Sequence, residues 1–368
     1  MNKKIFFSIL LVLSFLLFGC VSQGNDSGAD LNQPVPFGTT GGVIGPIGDN
    51  SLSTGTSRQN VNALNEMGII VPTYNPELNL VPYRVPADTN AEKDSNFGYG
   101  SKVYPVKGDY NIIFSEVDDQ KILLDIYTPV GAINPPVIMA VHGGGFVFGS
   151  KDDINDLGLA KYGYAVVSIN YRLAPKSSFP AQIIDLKTAV KWIKANSQKY
   201  NYNSNKIAAI GLSAGGHLVN MLGTTIGNVD YEGINYKPEY ASFDSGVNYI
   251  VDFYGPSDFT NENILGTPVG KASITALLGC SPNIRKQCLK KTSEASPAYY
   301  VKSKTIPFLI IHGDEDTTVP CQQSGELYQL LKASSTDVTL IIAPGEGHGT
   351  PAYDYMGKAL KWLDSKLK

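Results

Sequence analysis

The sequence predicts an α/β domain with a mostly parallel central sheet and helices on both faces. Two observations carry this expectation. Beyond about residue 110, short apolar runs alternate with stretches of helical periodicity, the order that arises when each parallel strand is returned by a crossover helix. Ahead of that alternation, two strand-like runs, 112–114 and 122–127, flank Asp118-Asp119-Gln120, which predicts an antiparallel hairpin opening the sheet. In chain order the strands are expected at 137–141, 165–169, 207–210, 246–253, 308–311 and 338–342. A helix is expected at about 183–199 and another at about 351–367, closing the chain. No internal repeat is visible.

The 368 residues divide unequally. Residues 1–20 read as a targeting segment: Lys3 and Lys4 precede an apolar run at 5–18 that is too short for a comfortable membrane span. Residues 21–100 read as a tether and extension, rich in Gly, Ser, Asn and Thr as far as about residue 60 and then in Pro and Tyr without periodicity. Residues 101–368 hold the globular domain, and a 43% hydrophobic, 17% charged composition can fill its core. A formal net charge of -3 without a basic run gives no electrostatic reason to expect nucleic acid as a partner. Leu17-Phe18-Gly19-Cys20 resembles a bacterial lipobox, which implies lipid on Cys20, membrane attachment and an exported domain; the bland alternative is an ordinary secretory signal with an incidental Cys, or an uncleaved anchor. Of the other cysteines, Cys280 and Cys288 would close a short loop and are the expected disulfide in an oxidising compartment. Cys321 is then a single thiol, expected to pack as a small side chain.

The chemistry-bearing residues follow predicted strands. Gly211-Leu212-Ser213-Ala214-Gly215 stands between the strand at 207–210 and helix-compatible sequence, and it matches G-x-S-x-G. A strand-to-helix turn that sharp leaves no room for side chains at its flanks, and it thrusts the Ser213 hydroxyl into the open at the sheet's carboxyl edge. Alone, such a pattern is weak in a Gly-rich chain. His142-Gly143-Gly144-Gly145-Phe146 follows the strand at 137–141 and matches an HGGG loop, whose glycines let backbone N–H groups face a developing oxyanion. The Gly144, Gly145 and Ala214 amides are the expected donors. A glycine loop that merely turns is the bland alternative.

Only four histidines are available as a base for Ser213. His142 belongs to the glycine loop, His217 lies one turn into the helix behind Ser213, and His312 ends a strand ahead of the candidate acids. His348, in the late loop Pro344-Gly345-Glu346-Gly347-His348-Gly349, remains. His312-Gly313-Asp314-Glu315-Asp316 supplies three carboxylates, and bare spacing does not separate Asp314 from Asp316; Asp252 and Asp258 are fallback acids for which a structural role is the expected one.

These motifs, together with Tyr171-Arg172-Leu173-Ala174-Pro175, Phe179-Pro180-Ala181-Gln182, Asp185 and Ala295-Ser296-Pro297, resemble the bacterial esterase branch of the α/β-hydrolase superfamily. That branch includes feruloyl and acetyl-xylan esterases and is related to hormone-sensitive-lipase-like carboxylesterases. The resemblance runs from about residue 110 to the end, and its H-G-x-x-D-x-x-V-P pattern selects Asp316 as the acid. It implies an α/β-hydrolase fold and a serine carboxylic-ester hydrolase that works through Ser213, Asp316 and His348 and an acyl-enzyme, without metal or cofactor. Short-acyl or phenolic esters of carbohydrates are the implied substrates, with a generic short-chain carboxylesterase and a non-catalytic surface-binding module as alternatives. Asp185 is expected to be structural, and Tyr231, Tyr236, Tyr240 and Tyr249 either rim the site or pack in the core.

Overall fold

The computed structural model describes residues 102–234, 236–260, 268–280 and 286–368; the expected targeting segment, Cys20 and the extension 21–100 lie outside the described residues. Strands β1 (Val106–Val117) and β2 (Gln120–Pro129) form the opening hairpin. Asp118 and Asp119 turn it with φ of 50° and 60°, the left-handed pair that matches the twist of a two-residue hairpin. Six further strands follow: β3 (Pro136–Val141), β4 (Ala165–Ile169), β5 (Asn203–Leu212), β6 (Tyr249–Phe253), β7 (Phe308–Gly313) and β8 (Val338–Ala343). They build one eight-stranded sheet in the order β1-β2-β4-β3-β5-β6-β7-β8, in which only β1/β2 and β2/β4 pair antiparallel. The expected α/β-hydrolase class, mostly parallel with helices on both faces, is what the chain adopts.

Every residue of β3 and β4 is buried, because the sheet is covered on both sides. Side chains of one strand therefore divide between two cores: Val137, Met139 and Val141 of β3 enter one, Ile138 and Ala140 the other. Helices Ala181–Ala195 and Ala214–Thr224 cover the first face with residues such as Ile183, Leu186, Val190, Leu218 and Leu222. Helix Met356–Leu367 covers the second with Ala359, Leu360, Leu363 and Leu367, one stripe at helical spacing. Each leucine buried this way contributes about 1.5–3 kcal/mol relative to exposure.

Two expected helices are shorter than their periodicity suggests. The first ends at Ala195, where Asn196 turns its side-chain amide back onto the Trp192 carbonyl (2.9 Å) and competes with helical continuation. The last is interrupted at Tyr355 (φ -119°, ψ 5°), leaving the short helix Pro351–Asp354 ahead of it.

Winding reverses at β3. The chain passes from β3 outward to β4, then crosses back to lay β5 on the opposite side of β3. The loops after β3 and β5 thus leave the same carboxyl edge side by side, the place where ligands bind in open α/β sheets. At the other edge, the Tyr104 N–H donates to the Lys161 carbonyl (2.9 Å) and Lys368 Nζ to the Tyr162 carbonyl (2.7 Å), so both ends of the described domain meet beside Gly163.

Candidate active site

Ser213 sits between β5 and helix Ala214–Thr224 with φ 55° and ψ -118°, a conformation an ordinary residue rarely adopts. Its surroundings enforce it. The Ser213 N–H donates to the Phe253 carbonyl (2.9 Å) and its own carbonyl accepts from the His217 N–H (2.9 Å). A β-carbon on Gly211 would run into the Gly215 carbonyl, and one on Gly215 into the carbonyls of Val141 and His142. Both glycines of the motif are therefore required by close backbone approach.

The loop after β3 is equally constrained. Gly144, Gly145 and Phe146 all have positive φ (106°, 58° and 68°), and a β-carbon on Gly144 would meet the Phe148 carbonyl. Tyr171 Oη–H donates to the His142 carbonyl (3.1 Å) and the Ala174 N–H to that of Phe146 (2.9 Å), pinning the loop at both ends. The Phe146 ring is buried edge-on against His217 and Phe259 (5.2 and 6.2 Å between centroids). Gly144, Gly145 and Ala214 thus lie on the two adjacent loops at the topological switch, Ala214 at the amino end of its helix, where a backbone N–H has no intrahelical acceptor.

Acid and base come from neighbouring strands. β7 and β8 are paired through Gly313 and Ala343, and the loops beyond them stay laced together. The Glu315 N–H donates to the Glu346 carbonyl (3.0 Å), and the Gly345 N–H to Asp314 Oδ1 (2.7 Å). Asp314 is thus committed to shaping the histidine loop. Asp316 reaches inward: its Oδ2 accepts from His348 Nδ1–H at 2.6 Å, and His348 Nε2 accepts from the Ser213 hydroxyl at 2.9 Å. The structure therefore brings Ser213, His348 and Asp316 into one continuous relay, and it separates Asp316 from Asp314 where spacing alone did not.

Burial by itself would raise the pKa of Asp316, whose side chain is fully covered, but hydrogen bonds from His312 and His348 outweigh it and hold the carboxyl well below the usual carboxylate range. Its Oδ1 accepts two more bonds, from the Thr318 and Val319 N–H groups (2.8 and 2.9 Å). An ionised acid of this kind fixes the histidine tautomer and stabilises an imidazolium. Such a relay can draw the proton from a serine hydroxyl, deliver it to a leaving group, and so carry acyl transfer.

The other histidines are occupied elsewhere. Burial pushes both His142 and His217 down to about 4; His142 Nδ1–H donates to the Gly143 carbonyl (2.7 Å) and His217 Nδ1–H to that of Pro256 (2.9 Å). Asp252 holds Asn220 and the Gly255 amide, and Asp258 caps Thr260, so the fallback acids are structural. Asp185 is structural too, bound through both oxygens by the Arg172 guanidinium.

Cys280 and Cys288 are joined by a disulfide that ties helix Pro268–Leu278 to helix Lys286–Glu294. Cys321 is free and half-buried, its thiol pKa raised by burial and by Asp314 and Asp316 nearby. Among the described residues no group of three His, Cys, Asp or Glu could hold a metal ion.

The tyrosines considered as a rim pack instead. Tyr240 Oη–H donates to the Phe114 carbonyl (3.1 Å), and Tyr249 Oη–H to that of Lys366 (3.2 Å) at the edge opposite Ser213. Tyr231 packs on Phe179 and Tyr300, and Tyr236 is partly buried against the core. Two residues beside the relay had no site role in the sequence reading. Tyr254 lays its ring against His348 (4.8 Å), and nothing in its local pattern marks it. His312 Nε2 lies 3.2 Å from Asp316 Oδ2; its signal is the i, i+4 spacing to the acid.

The BD-FAE family model matches residues 124–331, more than half of the chain. Among curated proteins, the esterase LipC of Mycobacterium tuberculosis (strain ATCC 25618 / H37Rv) is 32% identical over 252 residues, covering 64% of this chain and 59% of its own. The chain spans between half and three fifths of the length of LipC and of the probable carboxylic ester hydrolase LipM from the same organism. Among solved structures, a truncated carbohydrate esterase from gut microbiota matches with a TM-score of 0.59 and 27% identity over 73% of this chain and 99% of that one. An acetyl ester-xyloside bifunctional hydrolase from Caldicellulosiruptor lactoaceticus matches with a TM-score of 0.59 and 25% identity over 71% and 97%. With its sheet order, its glycine-bounded serine turn and a family match over most of the domain, the chain belongs to the BD-FAE family.

Proposed function

We propose that the protein is a serine carboxylic-ester hydrolase in which Ser213 is the nucleophile, His348 the base and Asp316 the acid. The observation that carries this is the unbroken relay from Ser213 Oγ through His348 to Asp316, at 2.9 and 2.6 Å. Ser213 attacks the ester carbonyl as His348 Nε2 takes its proton. The amides of Gly144, Gly145 and Ala214 receive the oxyanion, each such donor being worth about a hundredfold to a thousandfold in rate. His348 then protonates the leaving alcohol, and water, activated by the same imidazole, releases the acyl group. Esterase naming among the relatives and the solved structures supports the same class.

For substrate we propose short-acyl or phenolic esters of carbohydrates. The support is that two matched structures are a carbohydrate esterase and an acetyl ester-xyloside hydrolase. A generic short-chain carboxylesterase is the second reading, favoured by the likeness to LipC. Export and attachment to a membrane through lipid on Cys20 belong to the proposal too, on the lipobox-like sequence. Radiolabelled fatty acid that is incorporated by the wild type and not by Cys20→Ser would support the anchor, and equal labelling would refute it.

The deciding experiment compares the full chain and Ser213→Ala on acetylated xylan, a feruloylated oligosaccharide and chromogenic esters of rising acyl length. Ser213-dependent release from the carbohydrate esters is expected. Activity confined to simple esters would favour the second reading, and turnover retained by Ser213→Ala would overturn the mechanism.

A further inference from the structure

We infer that His312 is a positioning residue for this reaction, one that shares the Asp316 carboxylate with His348 and thereby restrains the basicity of His348. The inference rests on the triad reading above. His312 ends β7 with its ring fully buried. Its Nε2 faces two groups that can only accept, the Val319 carbonyl at 2.8 Å and Asp316 Oδ2 at 3.2 Å, so this nitrogen carries a proton. Its Nδ1 faces Ser324 Oγ at 2.7 Å, whose hydroxyl donates to it.

The result is a near-mirror about one oxygen. Asp316 Oδ2 lies between two imidazoles, each bound at its far nitrogen by a serine: Ser213 beyond His348, and Ser324 beyond His312. One imidazole is 24% exposed and able to exchange protons with substrate; the other is sealed. A carboxylate that gives part of its charge to one donor has less to offer the other, so it stabilises the His348 imidazolium less than a carboxylate bound by His348 alone. Remove the His312 N–H and His348 becomes the more basic, which moves its neutral, working form to higher pH.

Other groups face this array but stay constant when His312 alone is changed. The Tyr254 ring contacts both imidazoles, at 4.8 Å from His348 and 6.4 Å from His312. Asp252 and Tyr353 act on Tyr254, and Asp314 with Asp316 acts on Cys321. Glu315 and Glu346 flank the acid and base in their own loops.

The test is the pH profile of kcat/KM on p-nitrophenyl acetate for the full chain and for His312→Leu, His312→Gln and Ser324→Ala. A second readout needs no turnover: the low-field proton resonance of His348 Nδ1–H, followed against pH in a Ser213→Ala background. His312→Leu removes the donor and is expected to move both midpoints upward by about 0.5–1 unit. His312→Gln keeps an N–H near the Nε2 position and is expected to stay close to the wild-type midpoint. Ser324→Ala weakens the His312 donor without removing it and is expected to shift in the same direction by less. Should His312→Leu fail to fold, the Ser324→Ala shift decides. Lost rate with unmoved midpoints, or equal shifts in the Leu and Gln variants, would overturn the role of His312 while a dead Ser213→Ala protein leaves the triad standing. Turnover retained by Ser213→Ala would overturn both.

Discussion

Asp252 offers a sharp test of how this site is held. It lies in β6 beneath the serine turn, fully buried, with Oδ2 accepting from Asn220 Nδ2 (2.7 Å) and Oδ1 from the Gly255 N–H (2.9 Å). Burial is the largest influence on it and pushes its pKa from 3.8 up to about 7, against those two hydrogen bonds. Below pH 3.8 both folded and unfolded chains carry the proton. Between pH 3.8 and 7 only the folded chain does, so this group's contribution to stability is present at low pH and falls as pH rises. The slope is about 1.4 kcal/mol per pH unit, which sums to about 4 kcal/mol by neutrality.

Asp252→Asn removes the charge and keeps the shape. Asn220 Oδ1 has no hydrogen-bond partner among the described residues, and a flipped Asn220 amide would present that oxygen to the side-chain N–H that the substitution introduces. The variant is therefore expected to be more stable than wild type at pH 8 by about 2–4 kcal/mol, with little difference at pH 4. Urea unfolding at half-unit pH steps measures it. A variant less stable than wild type at pH 8, or a wild type with a flat profile between pH 4 and 7, would refute the reasoning. Turnover should survive the change; its abolition would reinstate Asp252 as the acid.

Other expectations follow from single contacts. Gly144→Ala should cut kcat by more than about tenfold, with KM less affected, because the β-carbon must displace the Phe148 carbonyl and with it a proposed oxyanion donor. Unfolding measured with and without reductant, and for Cys280→Ser with Cys288→Ser, should show a loss of about 2.5 kcal/mol for so short a closed loop. Lys151→Met should cost about 3–5 kcal/mol by stranding Asp125, which is 2% exposed and bound to the Lys151 ammonium at 2.9 Å. Adding Asp125→Leu to that variant should recover much of the loss, and a double variant no better than the single one would exclude a stranded charge as the cause.

The strands were legible because burial on both faces writes them as near-continuous apolar runs, as in β3 and, with Ser168 as its one polar residue, β4. The serine turn and glycine loop were legible because glycine stands wherever a β-carbon would strike a carbonyl, at 144, 211 and 215. What escaped depends on contacts between distant residues. Asp314 and Asp316 are chemically alike in sequence, and only the pairing of β7 with β8 commits the first to Gly345 and the second to His348. Elimination passed over His312 because it asked only for a base. The tyrosines of the segment after the serine helix carry no mark of direction, and the hydroxyls of Tyr240 and Tyr249 find carbonyls far from Ser213.

Tyr104 and Lys368 converge on Gly163 at the amino ends of the strands, while Ser213 opens at their carboxyl ends. A domain whose two ends lie together can be spliced into a loop of a host without stretching either partner, or rejoined end to end and opened elsewhere. Because that seam is on the far side from Ser213, the domain of residues 104–368 could be mounted by either end, or by both, on a bead, a scaffold or another enzyme, and still leave the carboxyl edge of its sheet open to solvent.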